Sequence, residues 1–178
     1  MKWALIVVAA IAGLIALMAL VGAFLPRDHR ATSTITLRQP ADSVWRAIRE
    51  FGNIPTWWSD WRESVRLPDK DGHEAWRQKV GGFDMPILVL ESQAPRRLVT
   101  QIDAPPEGGA SFGGTWTYEL TAEGGGGGTR ISITEAGWIA NPIFRFMSRF
   151  LLGYYGSLDG YLRALARHYR EVATPEHS

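Results

Sequence analysis

The chain has 178 residues, a formal net charge of +1 and no cysteine. Its length fits one domain of ordinary size plus an appendage. The near-zero charge removes a general electrostatic case for nucleic acid as a partner, and the missing cysteines exclude disulfides and thiolate sites. Eight tryptophans are many for this length, and they point to aromatic-rich packing or to a surface that meets lipid.

Trp3 to Leu25 holds no charged or strongly polar residue. As a helix it would span roughly 35 Å, enough for a bilayer core of about 30 Å. Residues 1–26 are expected to be an N-terminal transmembrane anchor, residues 27–30 a short linker. A cleaved signal peptide is the competing reading, with Val21-Gly22-Ala23 as the cleavage site, but the apolar run is longer than a usual signal core. Orientation is weakly coded, because Lys2 and the amino terminus oppose Arg27 and Arg30, which Asp28 partly offsets. The short N-terminal tail favours a single-pass protein whose soluble domain lies outside the cytoplasm, at the inner membrane if the source is bacterial.

From Ala31 to Leu37 polar and apolar residues alternate, which predicts a strand. Gln39-Pro40-Ala41-Asp42 starts a helix with Val44, Trp45, Ile48 and Phe51 at core spacing, and Gly52-Asn53 ends it. Asn53 to Trp58 reads as one further helical turn containing Pro55. Strands then follow at Trp61 to Leu67, His73 to Val80, Met85 to Glu91, Arg97 to Asp103, Phe112 to Thr121 and Thr129 to Gly137. Turn residues at 68–72, Gly81-Gly82 and Ala94-Pro95 punctuate them. Pro105 to Gly109 reads as a loop, and the low-complexity run Gly124 to Gly128 as a flexible hairpin tip.

Asn141-Pro142 is a good cap followed by a good first helical residue. The spacing of Phe144, Met147, Leu151, Tyr154, Tyr155, Leu158, Leu162, Leu165, Tyr169 and Val172 predicts one helix from Asn141 to Val172, roughly 45 Å long. Gly153, Gly156 and Gly160 lie on its far side and predict a bend or a loosened turn. Residues 174–178 read as a disordered tail. Strands clustered together, not alternating with helices, indicate an α+β fold with an antiparallel sheet over residues 31–173.

Several stretches carry a family likeness. They are Pro40-Ala41-Asp42-Ser43-Val44-Trp45, Trp116-Thr117-Tyr118-Glu119-Leu120, the run from Gly128 to Gly137, Asn141-Pro142-Ile143-Phe144-Arg145, and Gly160-Tyr161-Leu162-Arg163-Ala164-Leu165. In this order the chain resembles the SRPBCC superfamily, also called START-like or helix-grip, in its polyketide cyclase/dehydrase and lipid-transport branch. The likeness runs from about Ala31 to Val172; the N-terminal apolar run lies outside it. It implies a curved antiparallel sheet of about six or seven strands wrapped around a long C-terminal helix, with a deep cavity between them for an apolar ligand.

Strand parity places Thr129, Ile131, Ile133 and Glu135 on one face of the last strand. Because Ile131 and Ile133 must face the core, Glu135 points inward too. A buried carboxylate needs pairing or protonation, so Glu135 is either a polar anchor or acid/base in the cavity, or a structural carboxylate at the strand end. Trp116, Tyr118 and Leu120 share a face and approach the same interior, and Tyr154, Tyr155 and Tyr169 meet it from the helix. The expected ligand-lining set is Trp116, Tyr118, Ile131, Ile133, Glu135, Leu151, Tyr155, Leu158 and Leu162. An ordinary aromatic core fits the same residues. Trp57, Trp58 and Trp61 read as a gate, as a lipid-interface cluster or as a small aromatic core. Phe146, Phe150 and Leu152 read either as membrane-touching or as deeply buried.

His29 sits beside the apolar run and His177 in the tail, while His73 and His168 are far apart with no carboxylate at ligand spacing, so no metal is expected. Phosphate-cradling and nucleophile-elbow motifs are missing, and no cofactor is implied. Three functions compete. The first is a membrane-anchored binding protein for a hydrophobic small molecule or lipid, tethered through residues 3–25. The second is a cyclase- or dehydratase-type enzyme using Glu135, with His168 a distant second candidate. The third is a ligand-free interaction module at a membrane. A void of several hundred Å³ would favour the first two.

Overall fold

The computed structural model describes residues 2–104, 110–124 and 127–178; the expected loop at 105–109 and the centre of the glycine run at 124–128 lie outside the described residues. Helix α1 spans Lys2–Ala23 and has an apolar surface all round. Most of its length is uncovered by the rest of the chain. Only its last turns, around Met18, Ala19, Val21 and Gly22, are partly or fully covered.

Eight strands form a single antiparallel sheet: β1 (Asp28–Leu37), β2 (Trp61–Lys70), β3 (His73–Val80), β4 (Phe83–Gln93), β5 (Arg97–Ile102), β6 (Phe112–Ala122), β7 (Thr129–Ile139) and β8 (Glu176–His177). Their order is β2-β3-β4-β5-β6-β7-β1-β8, so the first long strand closes onto the last one. Register shifts between Trp61 and Glu63, Leu67 and Lys70, and Val89 and Glu91 insert irregularities that increase local twist and help the sheet curl. Helix α2 (Ala41–Arg49), a 3₁₀ turn (Phe51–Asn53) and helix α3 (Ile54–Trp57) plug one end through buried Val44, Ile48, Phe51 and Ile54.

The sequence predicts one helix from Asn141 to Val172, but the structure breaks it into three pieces. These are α4 (Pro142–Met147), a π turn (Ser148–Leu152) and α5 (Gly156–His168). The start is as expected, with Asn141 Oδ1 accepting from the backbone N–H of Ile143 (2.9 Å) and Phe144 (3.3 Å). The break falls at Gly153, whose φ of 74° is cheap only for glycine. A π turn also adds residues to the turn and rotates everything after it, so the constant phase assumed along the stripe is lost. Leu151 ends up 67% exposed instead of lining the interior.

Beyond the break, Leu158, Tyr161, Leu162 and Leu165 of α5 are fully covered and pack in one core with Ile35, Leu37, Leu98, Leu120, Ile131 and Ile133. The tryptophan cluster packs with the core, and Trp58 and Trp61 also border the open interior. Rings of Trp57, Trp58 and Trp61 pack around Tyr161 at centroid distances of 5.4, 5.2 and 6.2 Å. Two boundaries also differ from expectation. Residues 28–30, expected as linker, already belong to β1. The expected disordered tail contains β8, which pairs with Ser33 and Thr34, and Ser178 exchanges backbone hydrogen bonds with Thr32 at 3.1 and 3.2 Å. A two-residue strand is too short to carry a sequence pattern.

Candidate functional site

The curled sheet does not close fully on the C-terminal helices. A cavity of about 900 Å³ remains between β3–β7 and the segment from α4 to the first turn of α5. Its walls are mainly apolar and aromatic, with Val80, Ile87, Ile102, Trp116 and Trp138 contributing from the sheet.

Two carboxylates border the cavity: Asp84, exposed at the start of β4, and Glu135, part-buried in the wall. Trp116 and Glu135 sit directly opposite on β6 and β7, and His29 and Gly137 are opposite on β1 and β7. That register brings three side chains together. Trp116 Nε1–H donates to Glu135 Oε2 at 2.9 Å, and His29 Nε2 lies 2.9 Å from Glu135 Oε1. The imidazole passes over Gly137, where an added Cβ would come within 2.6 Å of His29 Cε1. Its other face stacks on Tyr154 at 4.5 Å between centroids. Glu135 therefore enters the interior already paired, which answers the cost of burying a carboxylate. The polar remainder of the wall includes Gln78, Thr100 and Tyr118.

Burial pushes the Tyr118 hydroxyl well above the ordinary phenol range, against the opposing effect of the neighbouring Tyr161 and Thr100 hydroxyls. Burial also pushes Tyr161 well up, and the adjacent Tyr118 phenol adds to it. Both phenols stay neutral as acids, so they offer polar tips and not charges. His29 Nδ1, Trp61 Nε1 and Gln78 Nε2 are buried without a hydrogen-bond partner among the described residues.

Of the residues expected to line the site, Trp116, Tyr118 and Glu135 border the cavity. Ile131, Ile133, Leu158 and Leu162 do not; they are 0% exposed in the filled core beside it. Leu151 points outward, and Tyr155 stacks on His177 at 4.0 Å, behind the helix. His168, the distant second candidate, packs against Trp57 at 5.8 Å and does not border the cavity. His29 is the residue the sequence reading missed. It falls in the expected linker, yet its parity with Ala31, Ser33, Ile35 and Leu37 points it inward once β1 is extended by three residues.

A shallower concavity of about 560 Å³ lies on the outer sheet face beside Arg96, Arg97, Glu119 and Arg130. Arg97 already pairs with Glu91 and Glu119, and Arg130 with Glu176, so it reads as a solvated ion-pair surface. Among the described residues no three His, Asp or Glu side chains gather into a group that could hold a metal.

A curved antiparallel sheet gripping a C-terminal helix, with an apolar cavity in the grip, defines the START-like helix-grip class. Solved structures share this architecture at low identity. A START superfamily protein from Mycobacterium smegmatis aligns with a TM-score of 0.60 and 13% identity, over 79% of this chain and 97% of its own. A conserved protein from Geobacillus kaustophilus gives 0.62 and 11%, over 84% and 99%. A truncated norcoclaurine synthase from Thalictrum flavum gives 0.61 and 12%, over 81% and 94%. No curated protein matches the chain by sequence. The family profile described as "Polyketide cyclase / dehydrase and lipid transport" matches residues 28–170, and the chain belongs to that family. Helix α1 lies outside the matched region.

Proposed function

We propose that the protein is a membrane-anchored binding protein for a hydrophobic small molecule or lipid held between the sheet and the C-terminal helices. The observation that carries this reading is the mainly apolar cavity of about 900 Å³, a volume in the range of small-molecule sites. A void of this size also weighs against a ligand-free interaction module. The anchor rests on α1, which is apolar all round and stays uncovered by the rest of the chain. It rests as well on a fit between α1 and the domain. A Cβ at Gly22 would lie 1.9 Å from the backbone oxygen of Pro142, so only glycine lets α4 seat on α1. A signal peptide destined for removal has no use for such a seat.

The test is purification of the full chain from native membranes, followed by mass spectrometry of co-purified small molecules and titration with an apolar fluorescent probe. An apolar compound held in stoichiometric amount, and displaced by the probe, is the expected result. Ile102→Trp, which projects into the cavity, should weaken the probe and leave the melting temperature nearly unchanged. Failure of the unaltered protein to bind any apolar probe overturns the reading.

A second reading is favoured by one observation, the pairing of Glu135 with His29 in the cavity wall. That arrangement suits a cyclase- or dehydratase-type enzyme in which Glu135 moves a proton. Glu135→Gln separates the two. Loss of turnover with retained probe binding supports an enzyme, whereas equal binding and no turnover by either protein supports a carrier.

A further inference from the structure

The cavity has a mouth, and its rim is apolar. Phe83 (63% exposed), Phe112 (39%), Phe144 (51%) and Leu152 (65%) border the cavity and face outward, one from β4, one from β6 and two from the α4–π segment. Phe150 (57%) and Leu151 (67%) continue this surface along the π turn without touching the cavity. Six large apolar side chains gathered at one end of a domain, exposed at this level, are an interaction surface and not ordinary surface scatter.

What covers them follows from α1. Helix α4 packs on the last turns of α1, with Pro142 against Gly22. Arg145 of α4, itself buried, donates to Leu25 O at 2.8 Å and Ala140 O at 3.3 Å, which ties the exit of α1 to the start of the rim. Gly22 precedes the end of the apolar run at Leu25 by three residues, or roughly 4.5 Å of helix rise. Anything seated at Gly22 therefore lies at the depth where hydrocarbon gives way to headgroups. Arg27, Arg30 and Arg149 are exposed around this junction, and among the described residues none of them pairs with a carboxylate. Guanidinium groups at that level suit lipid phosphates.

We infer that α4 and the π turn are a second membrane contact, inserted into the lipid interface beside α1, and that the cavity opens directly into the bilayer there. The inference rests on the anchored-binder reading and adds the route: the ligand is a membrane-resident apolar molecule that enters sideways from the leaflet, not one captured from water. Phe150 and Leu151 act as the wedge, and Phe83, Phe112, Phe144 and Leu152 keep the path from lipid to cavity apolar.

The chain has no cysteine, so single reporters are simple to place. Full-length Leu14→Cys, Phe150→Cys, Leu151→Cys and Asp71→Cys would be spin-labelled and reconstituted in vesicles of phosphatidylcholine and phosphatidylglycerol in equal parts. Accessibility to oxygen against a water-soluble nickel chelate then reports depth. Asp71 is the control, since it sits at the far end of the β2–β3 hairpin from Gly81 and Phe83. The expected result is Leu14 in hydrocarbon, Phe150 and Leu151 at headgroup depth, and Asp71 in water. Leu14 in hydrocarbon with Phe150 and Leu151 as aqueous as Asp71 overturns the inference and leaves the anchor standing. Leu14 in water overturns the anchor reading itself. In a second arm, Phe150→Glu/Leu151→Glu should take up an apolar probe from these vesicles roughly tenfold more slowly, with unchanged probe affinity in detergent. Equal uptake rates overturn the route.

Discussion

Ser33 Oγ–H donates to Asp159 Oδ1 at 2.6 Å, across the seam where β1 meets α5. Both residues are buried, at 0% and 7% exposure, so neither has water as an alternative partner. Asp159 also accepts from Arg163 Nη2 at 3.2 Å and faces His177 Nε2 of β8 at 3.0 and 3.1 Å. One carboxylate thus joins the first strand, the last helix and the C-terminal strand. Asp159→Ala leaves the Ser33 hydroxyl buried and unpaired, at a cost of about 1–3 kcal/mol. Thermal denaturation should show a melting temperature lower by several degrees. Removing residues 176–178 deletes β8, its backbone pairing to β1 and the His177 stack on Tyr155, but these groups are exposed and water can replace them, so it should cost distinctly less. Equal losses for the two variants would mean that the strand, not the carboxylate, holds the seam.

Leu158→Trp is expected to destabilise. Leu158 is 0% exposed, belongs to the packed core and does not border the cavity. Extra bulk there overpacks, at about 1–3 kcal/mol. Chemical denaturation of Leu158→Trp beside Ile102→Trp checks it: the first should lose stability and keep probe binding per folded molecule, the second the reverse. A stable Leu158→Trp that binds no probe would extend the cavity to α5's buried face.

Tyr161→Phe should fold at least as well as the unaltered protein. The ring is central, within 6.2 Å of Trp61 and nearer to Trp58, Trp57 and Tyr118. The hydroxyl contributes little by comparison: it is buried beside the Tyr118 phenol and makes no hydrogen bond of ordinary geometry among the described residues. Deleting it removes a desolvation penalty and leaves the ring contacts in place. Tyr161→Ala, in contrast, should cost about 3–5 kcal/mol as a large-to-small core change. A melting temperature for Tyr161→Phe several degrees below that of the unaltered protein would reveal a partner for the hydroxyl.

The buried phenols predict an alkaline limit. Tyr118, Tyr161 and Tyr169 are all pushed up, mainly by burial. In the unfolded chain each ionises near pH 10, while the folded chain still holds the proton. The unfolded state therefore loses protons first, and stability that is complete below about pH 10 declines as pH rises beyond it. Ultraviolet titration should find the Tyr118 and Tyr161 phenols ionising only together with unfolding. Their reversible ionisation near pH 10 in folded protein would contradict this.

Strand parity made much of the sheet legible. Ile131, Ile133 and Glu135 do share the inner face of β7, with both isoleucines 0% exposed. Alternation is a local property, and a long strand repeats it often enough to be read. The helical stripe failed where the repeat itself changes. A single π turn and one glycine at positive φ separate Leu151 from Leu158, so one phase could not serve both. That error also hid Tyr161, the residue around which the aromatic core is built. His29 was missed for the opposite reason: three residues at the head of β1 look like a charged linker, and only the partner strand declares them part of the sheet. The cavity's location follows from how far the sheet curls, which no single stretch of residues encodes.

The seat of Pro142 on Gly22 also decides how far the domain can travel. A flexible tether of n residues sweeps a radius of roughly 5–6 Å × √n, and such a tether lets a carrier swing from one membrane to another. Here the connection between α1 and β1 is Phe24 to Arg27, with Phe24 and Leu25 closing turns on Val21 and Gly22 and Arg27 O accepting from Ile139 N–H at 3.0 Å. Almost no slack remains. With α1 in a bilayer, as proposed, the domain would be a fixed bowl whose lip stays at one leaflet, diffusing only as its anchor does. On the proposed reading, it would lift a molecule out of its own membrane and shield it from water. To pass that molecule on, the recipient must come to the bowl.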